Sequence, residues 1–463
     1  MSNRRWFPCF CLLLVLAGCA EPVREGIAIE NVTVIDPVSG RAEAQRVLIA
    51  RDRIASVGPV SDPATAVRET VDGTGRYLMP GLWDMHVHFL YEPLLTERMA
   101  DLFLDYGITS VRDTGGDLTE MVALRNGMAA DPAPEPHLYF SGPLLDGRFV
   151  VYDGGDPGRP KLGTGIPDAE TARATVRELK AAGADFIKIY ELVDPAVYRV
   201  LADEARAQGL PIASHVPLTM TADGAGPVAD SMEHLRNLEL ACAADWQALL
   251  AARQQTVSEF VEGRGYDLRS TLHNLQRIPA IRAYDENRCD AVLATLTRTI
   301  QVPTLRLNTV AIVRPFEHPD WPRALSELPA EVQTMWRAQA DAYRDAAPTA
   351  DPTFSDWSRF LVGRLKANGV PIGAGTDTPI GIGIPGWSLH TELEQLVGAG
   401  LTPQEALHAA TVQPAAFLHL ESETGRIEPG MRADLVLLDA DPLEDIRNTR
   451  RIHRVMLNGG WVR

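Results

Sequence analysis

Hydrophobic and polar positions change rhythm along this chain. From Ile27 to about Tyr77, alternating runs such as IAIENVTVID and QRVLIARDRIASVG are separated by Gly, Pro and Asp, the pattern of half-buried strands joined by turns. Arg51-Asp52 lies between two alternating halves of the second run and predicts a hairpin. The far C-terminus has the same texture in RADLVLLDA and RIHRVMLNGGWVR. Two β-rich ends around a long middle predict one small β-sandwich domain assembled from residues 20–78 and 421–463.

The middle, residues 79–420, alternates short apolar β-type runs with helical patterns, as a parallel sheet covered by helices does. The β-type runs end near His88, Arg112, Ser141, Lys188, His215, His234, Thr304 and Asp377. Eight such units predict an α/β fold of the TIM type, a (β/α)8 barrel. Leu94, Leu95, Met99, Leu102 and Phe103 mark one covering-helix face, and Ala172, Val176 and Leu179 another. Stretches 246–299 and 313–365 are too long for simple connections and helical in composition. They predict insertions near the barrel mouth, either a lid or substrate wall or stabilising packing. The Gly- and Pro-rich loops Asp153–Pro160 and Pro379–Gly386 read as active-site loops, with no strand, glycine loop and helix in the order of a phosphate cradle.

Composition narrows the class. The 463 residues are 45% hydrophobic and 23% charged with formal net charge -17, a globular chain whose acidity argues against nucleic acid or anionic lipid as partner. Residues 1–19 form a targeting segment: Arg4 and Arg5, an apolar run Trp6–Ala17, then Leu16-Ala17-Gly18-Cys19. This resembles the bacterial lipoprotein signal, which implies lipidation of Cys19 and an exported, membrane-anchored lipoprotein held by that lipid alone, on the periplasmic or outer-membrane side; the alternatives are a plain signal peptide with an incidental cysteine or an uncleaved anchor. Ala20 in place of Asp favours the outer membrane by the same resemblance. Cys242 and Cys289 then remain for the folded domain, either as a disulfide or as two buried thiols. The acidic surface and the insertions leave room for a homo-oligomer without requiring one.

In a barrel of this kind, chemistry sits where strands end. MPGLWDMHVHF places His86 and His88 on one side of an extended strand, because side chains alternate faces. Alone, the pair reads as ordinary packing. Downstream, FIKIY ends with Lys188 and Tyr190, PIASH with His215, SMEH with His234 and GAGTD with Asp377, and this coincidence points to a metal centre. An ammonium beside metal-bound imidazoles would be repelled. Carbon dioxide could convert Lys188 to a carbamate able to bridge two metals about 3.5 to 4 Å apart. His86, His88 and Asp377 would then hold one ion, His215 and His234 the other, and Lys188 both. Such ligands suit zinc, with manganese, cobalt or iron as alternatives.

Here the chain resembles the amidohydrolase superfamily, and within it the imidazolonepropionase-like group that includes dipeptidases. MPGLWDMHVH, the FIKIY lysine, ASHVP, SMEHL and AGTDT match that family's metal-binding strands in order, and SLHTELEQLVGAGLTPQEALHAAT with TGRIEPGMRADLVLLDADPL resembles its last helices and return to the sandwich. The resemblance implies a two-metal hydrolase whose bridging hydroxide attacks a carbonyl, with Asp377 as the catalytic proton carrier. Tyr190, on the strand face of Lys188, is a candidate substrate donor. Arg112 is a candidate for a substrate carboxylate or a structural ion pair, and His390 could reach the mouth; His137, His408, His419 and His453 receive no role. Dipeptidase relatives often carry Gly-Gly-His-Gly after strand three, whereas SGPLLDGRFVVYDGG has no histidine, a departure that puts their particular specificity in question. The expected activity is hydrolysis of C–N bonds in small amides such as dipeptides or N-acyl amino acids. The alternatives are a lactone, cyclic amide or organophosphate-ester hydrolase on the same centre, or a non-catalytic surface binding protein.

Overall fold

A computed structural model describes residues 26–61, 67–156, 158–346 and 350–463. The proposed targeting segment and Cys19 lie outside the described residues. Both chain ends join one eight-stranded mixed sheet, in the order Gly460–Trp461, Ile452–Leu457, Leu435–Leu438, Tyr77–Pro80, Ile27–Asp36, Gly40–Ala50, Arg53–Pro59, with Glu69–Asp72 also on Ile27–Asp36. The Arg51-Asp52 hairpin forms, pairing Ala50 with Arg53. The strand Ile27–Asp36 pairs in parallel with Glu69–Asp72 along its first part and with Tyr77–Pro80 further on. Ile29, Val47, Leu78, Leu435, Leu437 and Met456 from both chain ends form its shared core.

The strand Tyr77–Pro80 runs directly into the first barrel strand, Leu82–Val87. The barrel continues through Ile108–Asp113, His137–Phe140, Ile187–Ile189, Ile212–Ser214, Ser231–Glu233 and Ile300–Val302, with parallel pairing wherever these strands ladder directly. Strand three is broken: Pro143, which has no N–H to give, separates His137–Phe140 from Leu144–Asp146, and the second piece carries the pairing to Ile187–Ile189. The eighth run forms no continuous ladder. It closes the barrel through isolated bridges, Gln301 with Ile372 and Val87 with Thr378, and by the Met85 amide donating to the Ala374 carbonyl at 2.9 Å. Gly375 is needed at this closure, since a Cβ there would lie 2.8 Å from the His86 Cβ.

Covering helices follow the predicted periodicity. Met99, Leu102 and Phe103 are buried on Thr96–Asp105, and Ala172, Val176 and Leu179 on Ala169–Ala182. Leu94 departs from expectation: it precedes the helix and is 48% exposed, because the chain is still turning there. The first long stretch folds as helices Trp246–Glu259, Gly265–Arg282 and Glu286–Ala294. The second includes Ala330–Ala346 and Thr353–Ala367. Among the described residues no helix is long and apolar enough to cross a membrane.

Cys242 and Cys289 are joined as a disulfide, 47 residues apart, at the base of the helices Trp246–Glu259 and Gly265–Arg282. Closing a loop of that size restricts the unfolded chain. Replacing both cysteines by serine should cost roughly 2–4 kcal/mol, read as a lower thermal midpoint with earlier proteolytic cleavage within residues 246–282. An unchanged midpoint and digestion pattern would count against that role.

Candidate metal centre

A cavity of about 350 Å³ opens at the C-terminal ends of the barrel strands, and His86, His88, Lys188, Tyr190, His215, His234 and Asp377 all line it. The structure therefore brings together the whole sequence-derived ligand set and Tyr190. Ring centroids of His86 and His88 are 5.2 Å apart, His86 and His234 4.5 Å, and His215 and His234 4.8 Å. His86, His234 and Asp377 present ligand atoms all within 4.8 Å of one another. Asp377 Oδ1 lies 3.3 Å from His86 Nε2 and 3.1 Å from His88 Nε2.

Each imidazole is held from behind by its Nδ1. His86 Nδ1 meets Glu233 at 2.7 Å, His215 Nδ1 meets Glu191 at 2.7 Å, His234 Nδ1 meets the Thr304 hydroxyl at 2.7 Å, and His88 Nδ1 meets the Gly115 carbonyl at 3.2 Å. Such outer partners fix ring orientation and leave Nε2 for a ligand. Burial holds His215 and His234 well below the usual imidazole range, assisted at His215 by the Lys188 charge. These rings are therefore neutral, the form that binds a metal. Burial opposes protonation of His88 as well, but its contact with Asp377 prevails and raises it. For Asp377, burial is outweighed by His234, His86 and His88, and its carboxyl stays well below the usual range.

Lys188 is fully buried, and its Nζ makes no hydrogen bond; the nearest carboxylate oxygen, Glu233 Oε1, is 3.9 Å away. Burial pushes its ammonium down to about 8. Glu233 is in turn supported by Arg112, whose Nη2 donates to Oε1 at 2.8 Å, and by the Ser231 hydroxyl at 2.8 Å.

Backbone strain accompanies the ligands. His234, Thr304 and Asp377 all have positive φ, at 64°, 47° and 61°, a conformation costly for residues with a Cβ and found where surroundings enforce it. Here the enforcement is visible. Asn308 donates to the His234 carbonyl at 2.8 Å, and Arg306 Nε to the Thr376 carbonyl at 2.6 Å. Glu392 accepts from the Leu305 and Arg306 amides, and Asp84 binds the Thr376 amide and hydroxyl.

Two of the candidate substrate contacts are not at the cavity. Of the two readings of Arg112 the structural ion pair holds: it is 1% exposed beneath the floor, stacked over Phe417 and paired with Glu233. Strand alternation carries its long side chain inward below the ligands. His390 is fully buried on Trp387–Gly398, with Nδ1 at the Thr449 hydroxyl and Nε2 at the Tyr106 carbonyl, so it serves packing and not the mouth.

Several functional residues escaped sequence reasoning. Glu191 and Glu233 adjoin Tyr190 and His234 in the strand motifs, and their position beside two candidates was the available signal. Tyr91, Tyr152, Arg159, Arg236, Tyr266, Arg269, Gln339 and Tyr343 complete much of the wall. Tyr266 and Arg269 come from Gly265–Arg282, and Gln339 and Tyr343 from Ala330–Ala346. Both inserted stretches thus contribute to the cavity wall. His273, on the first of them, meets Glu191 at 2.6 Å.

Comparison with known proteins gives the same picture. The amidohydrolase family profile matches residues 327–459. Ochratoxinase of Aspergillus niger is 25% identical over 489 aligned residues, covering 94% of this chain and 81% of that enzyme. Imidazolonepropionase of Rubrobacter xylanophilus is 58% identical over 41 residues, 9% of this chain and 10% of its own. A solved Xaa-Pro dipeptidase superposes with TM-score 0.66 at 17% identity, covering 94% of this chain and 99% of its own. In its barrel, its β-rich domain and these relatives the chain is similar to the amidohydrolases, and like them it is a hydrolase acting on carbon–nitrogen bonds.

Proposed function

We propose that this protein is a metal-dependent amidohydrolase of small amides, such as dipeptides or N-acyl amino acids, exported and tethered by a lipid on Cys19. The observation that carries the reading is the convergence of four imidazoles, a buried and unpartnered Lys188 Nζ and Asp377 on one cavity. The donor set fits two divalent ions, zinc first: His86, His88 and Asp377 for one, His215 and His234 for the other, and Lys188, as a carbamate, for both. Such ions, when bound, polarise a carbonyl and make water nucleophilic near neutral pH.

The chain's own groups do the rest. Asp377 Oδ1, facing both first-strand imidazoles, accepts a proton from the attacking water and returns it to the departing amine. Tyr190 is 4% exposed and packs 4.4 Å from the His215 ring, centroid to centroid. On this reading its hydroxyl donates to a substrate oxygen. The walls from the inserted helices restrict the volume to that of a small amide, and the Xaa-Pro dipeptidase among the structural relatives supports this substrate class.

Metal analysis of the reconstituted protein should find two ions per chain, with turnover of some members of a panel of dipeptides and capped amino acids. Lys188→Ala should reduce the content to about one ion, as loss of a bridging ligand would; unchanged stoichiometry would place the bridge elsewhere. Asp377→Asn should lower kcat by about 10²- to 10⁴-fold, the usual worth of a positioned proton carrier, and near-normal turnover would remove Asp377 from that role. Radioactive palmitate should label the wild type and not Cys19→Ala, and an unlabelled wild type would end the lipoprotein proposal.

A further inference from the structure

The cavity wall holds a cation that the protein itself gives no hydrogen bond and only a shared carboxylate. Behind His215, both oxygens of Glu191 are occupied. Oε1 meets His215 at 2.7 Å and Arg269 Nη2 at 3.1 Å, while Oε2 meets His273 at 2.6 Å and Arg269 Nε at 3.0 Å. Arg159 has its own carboxylate, Asp156 at 2.6 Å, and lies over the Tyr266 ring at 3.5 Å. Arg236, two residues past His234, is different. Its closest carboxylate oxygen is that same filled Glu191 Oε1, at 3.5 Å, and none of its N–H groups makes a hydrogen bond among the described residues. Its side chain is only 18% exposed. Asp377 is the one carboxylate lining the cavity among the described residues, and it belongs to the ligand set.

A guanidinium in that position is repelled by its cationic surroundings and has surrendered much of its hydration. The protein offsets this only through the 3.5 Å approach to a Glu191 oxygen already shared by His215 and Arg269, which leaves the guanidinium's hydrogen-bonding capacity for an incoming anion. The planar fork of an arginine matches a carboxylate with two parallel hydrogen bonds, which a lysine cannot reproduce. The hydroxyls of Tyr152 and Tyr190, on the same wall, also make no hydrogen bond among the described residues. A phenol donating beside the guanidinium would complete a carboxylate pocket.

We infer that Arg236 anchors a carboxylate of the substrate, so that the site selects free-acid amides over their uncharged counterparts. The assignment rests on the amide-hydrolase reading for the identity of the substrate, but the anion pocket can be tested without hydrolysis. The probes are 3-phenylpropanoate and 3-phenylpropan-1-ol, neither of which contains a scissile bond, titrated calorimetrically into the metal-loaded full-length protein. The acid should bind the wild type roughly 10- to 100-fold more tightly than the alcohol. Arg236→Gln should erase that preference, and Arg236→Lys should restore part of it, with metal content unchanged in both. A preference that survives Arg236→Gln means that the carboxylate binds the metals or another cation, and overturns the inference. Loss of the preference with no turnover of any amide would support the anion pocket and sink the amide-hydrolase reading; turnover of amides with the preference intact would do the reverse.

Discussion

Everything at the cavity depends on the capture of four imidazoles through their Nδ1 atoms. A ring can present Nε2 to a ligand only while its other nitrogen has a fixed partner, and two of those partners, Glu233 and Glu191, are fully buried carboxylates. A buried carboxylate is costly without compensating charge. The fold therefore brings a guanidinium to each: Arg112 rises from the barrel floor to Glu233, and Arg269 descends from the inserted helix to Glu191, with the His273 ring beside it as a further partner. Burial opposes ionisation of both acids, yet these neighbours hold both well below the ordinary carboxylate range. The outer shell is thus as deeply built into the core as the ligands are.

The inserted helix Gly265–Arg282 links two tasks. Arg269, His273 and Arg277 recur every four residues and so share one face. Arg269 and His273 support Glu191, Arg277 approaches Glu239 at 3.7 Å, and Tyr266 from the same helix forms part of the cavity wall. Substrate wall and ligand support are carried on one rigid element, clamped at its base by Cys242–Cys289. Arg269 hydrogen-bonds Glu191, whereas Arg236 reaches the same carboxylate only at 3.5 Å.

Strain concentrates where the ligands leave their strands. His234 and Asp377 turn into the left-handed region, and the residues that hold them there come from distant parts of the chain: Asn308, Arg306, Asp84 and, through the Arg306 amide, Glu392. This polar network fixes the loop after the eighth run, which has no regular ladder of its own to do so.

Local pattern by itself determined the barrel, the β-rich ends and the residues that line the cavity at the strand exits, because strand period and strand-exit position are properties of consecutive residues. Lys188, His215, His234 and Asp377 were legible for that reason, each closing a short apolar run. The strand-three break and the irregular eighth run were less legible, since Pro143 and Gly375 matter through what lies beside them. Only tertiary structure decided the partners. Arg112, open between a substrate contact and an ion pair, and His390, a candidate for the mouth, were placed in the core by their long-range neighbours Glu233, Tyr106 and Thr449. Arg236 carried no local sign of function, because a charge becomes informative only when the distances to every other charge are known, and those are set by the closed barrel and its inserted helices.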